Sequence, residues 1–168
     1  PKSEVVVDHF LAPIWENKEA LAQIAQTTQS LQALHEAMGA YRGWGGGGFM
    51  SYEVVTDLNY TPVLSSAKDR NSWANAGPGA IRGLNRILGN PLKKSMTQAV
   101  ANDFMRKLLS TAPFYIMPHV PLDQVDMRTI EHSLCEWDKY ERVRLGQGRP
   151  RSVYKPDLFN EVPQGAVE

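Results

Sequence analysis

NAGPGAIRGLNRIL, residues Asn75 to Leu88, is the stretch on which the reading of the fold turns. Gly77, Pro78 and Gly79 predict a tight turn. Beyond it Ile81, Leu84, Ile87 and Leu88 recur at helical spacing and leave Arg82 and Arg86 on the outer face. A glycine-rich turn opening onto a helix has the look of a helix-hairpin-helix, in which unpaired N–H groups and the positive end of the helix dipole attract a phosphate. The same triplet is also ordinary structural punctuation, and Arg82 just past the turn is what favours an anion site.

The chain to either side is helical in period. From Asn17 to Met38, Leu21, Ile24, Leu31, Leu34 and Met38 predict one helix, with Asn17 as its cap and Gly39 at its end. Five glycines and Trp44 fill Gly43 to Gly48, a connector able to approach a ligand or another backbone closely. It is no phosphate loop of the Walker type, because Phe49 and Met50 stand where Lys-Ser or Lys-Thr is required. Phe49 to Leu58 predicts a short helix with Phe49, Tyr52 or Val55, and Leu58 facing inward. Another runs from about Ser95, its cap, to Leu109, with Met96, Val100, Phe104 and Leu108 inward. Asp126 is placed to cap a last helix ending near Leu145. Only Glu4 to Val7 alternates weakly in the manner of a strand, so the fold class is all-α. Residues 1–155 read as a single helical domain and 156–168, with Pro156 and Pro163, as an extended tail.

Composition excludes more than it identifies. With 168 residues, 42% of them hydrophobic, the chain suffices for one modest core. Eighteen basic and eighteen acidic residues cancel, so no global field draws the protein to nucleic acid or membrane, and any polyanion site must be local. The single cysteine, Cys135, allows no internal disulfide, no Cys/His cluster has zinc spacing, and neither metal nor cofactor is expected. No apolar run approaches the roughly 20 residues of a membrane span, and no signal-peptide pattern is present, which predicts a soluble, cytoplasmic protein.

EHSLCEWDKYERVRLGQGRPRSVY, Glu131 to Tyr154, is the densest chemistry in the chain. Glu131, Cys135, Asp138 and Arg142 follow at helical steps and share one face. Glu131, Glu136 and Asp138 beside Lys139 offer a general base, a metal-ligand pair, or a clamp for a positively charged transition state. They are equally readable as surface pairs worth a few tenths of a kcal/mol each. Arg142, Arg149 and Arg151, set among glycines, suit phosphate contacts. Trp73 and Tyr140 offer surfaces on which a flipped base could stack, though aromatic core is the commoner role. Cys135 reads as a half-buried structural thiol, the methionines as core filling, and His9, His35 and His119 as isolated polar groups; His132 gains weight from its place in this block.

VVTDLNYTPVL (Val54 to Leu64), DRNSWANAGPGAIRGLNRIL (Asp69 to Leu88) and the Glu131 to Tyr154 block together resemble, in order, the signature blocks of a phage and bacterial family. It comprises the helical domain of 5-hydroxymethyluracil DNA kinases and the related α-glutamyl/putrescinyl-thymine pyrophosphorylases, or amino acid:DNA transferases. The resemblance implies a fold like that of the helix-hairpin-helix DNA glycosylases. It also implies action on phospho-activated thymine derivatives in double-stranded phage-type DNA, joining an amino acid or polyamine to the 5-methylene. Some relatives act instead as glycosylases on modified bases. Carried onto this chain, the acidic and polar block positions fall on Asp57, Asp69, Glu131, Glu136, Asp138 and Lys139, and the hairpin on Gly77, Pro78, Gly79, Arg82 and Gly83. Asp126 matches the glycosylase-type catalytic aspartate in setting but stands too far beyond Gly79, so Asp138 or Glu136 is preferred and Asp126 is the rival. The resemblance further implies a helical segment ahead of residue 1. The chain then reads as the C-terminal part of a larger protein or as needing a partner, such as a 5-hydroxymethyluracil DNA kinase. A modified-DNA enzyme and a non-catalytic module presenting DNA to a kinase or nuclease both stay open.

Overall fold

The computed structural model describes residues 1–116 and 120–149, and among them every regular element is a helix. Arg151 and the expected tail lie outside the described residues. α1 (Lys2–Val6) continues through a wide π-type turn, Val7–Leu11, into α2 (Ala12–Glu16). The weak alternation at Glu4 to Val7 therefore forms helix and not strand; a short extended segment with no second strand to pair with leaves its backbone groups unpaired.

The helix expected from Asn17 to Met38 is two, α3 (Lys18–Thr28) and α4 (Leu31–Gly39). Gln29 breaks it in a left-handed conformation, φ 45°. The reason lies far along the chain. The Asp69 carboxylate accepts the amides of Leu31 at 2.8 Å and Gln32 at 3.0 Å and the Ser30 hydroxyl at 2.6 Å, while Ser30 itself caps α4 through the Ala33 amide at 3.0 Å. A double cap there starts a new helix in place of continuing the old one. Asn17 makes no side-chain cap.

α5 (Phe49–Leu58) buries Tyr52 and Val55 but leaves Phe49 67% exposed, contrary to the inward position expected of it. α6 (Pro78–Ile87) starts at Gly77, with Pro78 and Gly79 inside its first turn. A turn-rich segment leads into it from α5, so at this point the triplet caps a helix and does not join two helices directly. α7 (Gln98–Thr111) is capped by Thr97, not Ser95. Its buried face is Ala101, Asn102 and Met105; Phe104 and Leu108 are half-buried, and Val100 is exposed. α8 is a single turn, Pro113–Ile116, and α9 (Met127–Arg144) begins at Asp126 as expected. There the Asp126 carboxylate accepts the Thr129 amide at 2.9 Å, and Arg70 pairs with it at 3.0 Å.

α6 and α9 form the central packing unit. A Cβ on Gly83 would lie 2.6 Å from the Leu134 carbonyl oxygen, and one on Gly79 would meet the Cys135 sulfur. The two glycines, one turn apart, bring the helix backbones together more closely than any side chain would permit. Gly77 meets Glu131, Gly79 meets Cys135 and Arg82 meets Asp138, so contacts advance together and both helix N-termini lie at the same end.

Candidate functional site

That shared end opens into a cleft of about 400 Å³. Gly77 to Gly79 form its base, Phe49, Tyr52 and Glu53 of α5 one wall, and Arg128, Glu131, His132, Cys135, Glu136 and Lys139 of α9 the other. The base is held from behind. Gln98 and Asn102, one turn apart on α7, each grip an extended peptide with a two-way amide. Gln98 accepts from Ala76 N at 2.9 Å and donates to Ala76 O at 3.0 Å; Asn102 does the same at Ala74, at 2.8 and 2.9 Å. Asn75 between them donates to the Gly47 carbonyl at 3.1 Å and ties the glycine connector to the cleft.

Of the three carboxylates that line the cleft, Glu53, Glu131 and Glu136, Glu131 is the buried one. One of its oxygens accepts from the Gly77 amide at 3.4 Å, and the other pairs with Arg128 at 3.2 Å. Burial pushes its carboxyl above the ordinary value, and Arg128 and the Gly77 amide offset only part of that. Arg128 also reaches Glu53 at 2.9 Å and lies over the Tyr52 ring, so α5 and α9 are tied across the cleft. The Tyr52 hydroxyl is buried with no hydrogen-bond partner among the described residues, and burial raises its pKa well beyond the ordinary phenol. It stays protonated and able to donate. The cleft gathers charges of both signs, Arg128 and Lys139 with Glu53, Glu131 and Glu136, at the N-terminal ends of α6 and α9.

The other expected residues take different places. Asp138 is fully buried away from the cleft, between Arg82 at 2.7 Å and Arg86 at 2.9 Å. Burial alone would raise its carboxyl, but the hydrogen bonds and charges of the two arginines hold it below the ordinary value. Arg82 and Arg86, expected on an outer face, thus turn inward to close the α6–α9 joint. Asp126 is occupied by its cap and by Arg70, and Asp69 by the start of α4. Glu136 lies on the cleft rim with Lys139 and His132, where the Lys139 hydrogen bond lowers its pKa. Cys135 is a half-buried thiol whose pKa burial raises, as expected of a structural cysteine. Asp57 is exposed and outside the cleft, as is Tyr140. Trp73 packs against His35 and Tyr52 in an aromatic cluster. Arg142 lies against Gly148, and Arg149 is exposed. The Gln98/Asn102 clasp and Arg128 went unmarked in the sequence, and Phe49 was marked there only as an inward-facing residue of its helix. A polar pair one turn apart on an apolar helix was the only available signal for the clasp.

An all-helical domain with a half-enclosed cleft of mixed charge at the convergent ends of two helices is the class that fold and site define. The chain matches, over residues 5–149, the family model described as 5-hmdU DNA kinase, helical domain, and it belongs to that family. No curated protein and no solved structure matches it. The family ties the chain to the metabolism of DNA containing 5-hydroxymethyldeoxyuridine. Among the described residues no helix is long and apolar enough to cross a membrane.

Proposed function

We propose that this domain acts on a phospho-activated 5-hydroxymethyluracil base in double-stranded DNA, attaching the amine of an amino acid or polyamine to the 5-methylene carbon. One observation carries the reading: a buried carboxylate with a raised pKa, Glu131, sits in a cleft that also holds Arg128 and Lys139, in a member of a modified-DNA family. A base must be extruded for its 5-substituent to be reached at depth, and the cleft has the volume of a small-molecule site, within the usual range of about 300–1,000 Å³.

The chemistry follows from those groups. The amine nitrogen attacks the methylene carbon as the carbon–oxygen bond breaks, and phosphate departs with the bonding electrons. The proton given up by the amine passes to Glu131, whose desolvated carboxylate is a stronger base than a solvated one. Lys139 and the positive N-terminal end of α6 steady the departing phosphate. Gly77, Gly79 and Arg82 were expected to hold backbone phosphate; with Arg82 engaged by Asp138, exposed Arg149 and half-buried Arg142 are the arginines left to flank the duplex, with Arg151 beyond the described residues. A 5-hydroxymethyluracil DNA kinase is the partner that would supply the activated base.

The test is incubation of the protein with duplexes carrying thymine, 5-hydroxymethyluracil or 5-phosphomethyluracil, with and without amino acids and polyamines, followed by nucleoside mass spectrometry. A thymine adduct formed with loss of phosphate is the expected result. Abasic sites would replace the transferase reading with a glycosylase, in which Glu131 would steady an oxocarbenium-like sugar. DNA bound but unaltered under every condition would make the domain a presenting module.

A further inference from the structure

The cleft presents one solvated aromatic ring, and it belongs to neither of the stacking candidates read from the sequence. Phe49 opens α5, lines the cleft and is 67% exposed, whereas Tyr52 and Val55, further along the same helix, are buried. Single exposed rings are common on a protein surface, and what sets Phe49 apart is its place in the lining of the cleft.

The backbone that carries it is held on several sides. Gly48 has φ +70°, and a Cβ there would lie 2.6 Å from the His35 ring, so glycine is required and the approach to Phe49 has one available path. The Ser51 hydroxyl is within hydrogen-bonding distance of the Trp44 carbonyl at 3.0 Å and the Gly48 carbonyl at 3.2 Å, and lies 3.0 Å from His35 Nδ1. Asn75 holds the Gly47 carbonyl, and the Trp44 indole donates to the Phe10 carbonyl at 2.8 Å. The glycine connector is therefore held in place up to Gly48, and Phe49 follows it as the exposed first residue of α5. Trp73, by contrast, is packed with His35 and Tyr52, and Tyr140 lies outside the cleft.

We propose that Phe49 is the stacking platform for a pyrimidine base extruded from DNA into this cleft, with α9 facing the base from the opposite wall. The inference rests on the reading of the site as a DNA-base pocket and adds the residue that receives the base. Stacking on an aromatic face tolerates any base, so Phe49 provides retention, and the groups around Glu131 provide selection for the 5-substituent.

The experiment uses a duplex with 5-hydroxymethyluracil beside 2-aminopurine, whose fluorescence rises when its neighbour leaves the stack. Wild type, Phe49→Ala, Phe49→Leu and Phe49→Trp are compared, with thermal melting as a check on folding. Wild type and Phe49→Trp are expected to raise the fluorescence. Phe49→Ala and Phe49→Leu are expected to lose the rise and bind the modified duplex roughly 5- to 100-fold more weakly, with melting unchanged because the ring is solvated. Full extrusion and affinity in a folded Phe49→Ala would overturn the stacking role while leaving the DNA reading intact. A wild type that binds no modified duplex would overturn both.

Discussion

Replacing Asp138 by Asn tests whether that residue holds the fold or performs the chemistry. The substitution preserves shape and removes one charge, leaving Arg82 and Arg86, side by side on α6, without their counter-ion at the α6–α9 joint. Breaking a buried ion pair from one side costs about 3–5 kcal/mol. With an unfolding entropy of about 2.1 cal/mol/K per residue, that cost lowers the melting temperature of a 168-residue chain by about 9–14 °C. Arg82 keeps 34% exposure and can recover water, whereas Arg86 keeps 9%, so the lower half of that range is expected. The pH dependence has a definite sign. The Asp138 carboxyl is held below its ordinary value, so its contribution is present above the unfolded-state pKa and is lost as pH falls through the folded one. The gap between wild type and variant should stay constant near neutrality and begin to narrow below about pH 4. Calorimetric melts from pH 7 to pH 3 measure both effects. A variant melting within about 2 °C of wild type at pH 7, or a gap that does not narrow in acid, would refute the reasoning.

Three other substitutions probe the packing and the cleft. Glu131→Gln removes a carboxylate whose raised pKa marks stability present in acid and lost as pH rises through the folded value. Its melting temperature at pH 8 should equal or exceed that of wild type, and a large fall would contradict this. Gly83→Ala gains about 1 kcal/mol of helix propensity but sets a Cβ 2.6 Å from the Leu134 carbonyl, and overpacking against backbone costs about 1–3 kcal/mol. Net destabilisation in urea is expected, greater than for Gly79→Ala, whose main conflict is with the movable Cys135 side chain. Asn102→Ala leaves the Ala74 N–H and carbonyl unpaired at about 1–3 kcal/mol each, so its urea midpoint should fall clearly, and an unchanged midpoint would dismiss the clasp.

Local signals in the sequence were legible, and long-range pairings were not. Asp126 announced the start of α9, and the Gly-Pro-Gly triplet announced α6, because caps are written in neighbouring residues. The break at Gln29 was hidden: glutamine carries no turn signal, and the group that starts α4 is Asp69, on the far side of the α5 segment. Helical spacing correctly placed Glu131 and Asp138 on one face. It could not tell that α6 would cover Asp138 with two arginines while its N-terminus left Glu131 at the cleft. That separation depends on how Gly79 and Gly83 seat one helix on the other. Phe49 was assigned inward on hydrophobicity alone, and hydrophobicity does not distinguish a core ring from a presented one.

The measurement that tests the central claim most directly is nucleoside mass spectrometry on a 5-phosphomethyluracil duplex with an amine donor, comparing wild type, Glu131→Gln and Asp138→Asn below the melting temperature of each. Adduct from wild type and from folded Asp138→Asn, with none from Glu131→Gln despite retained DNA binding, is the predicted result. Wild-type turnover by Glu131→Gln, or its loss only in a folded Asp138→Asn, would contradict the account.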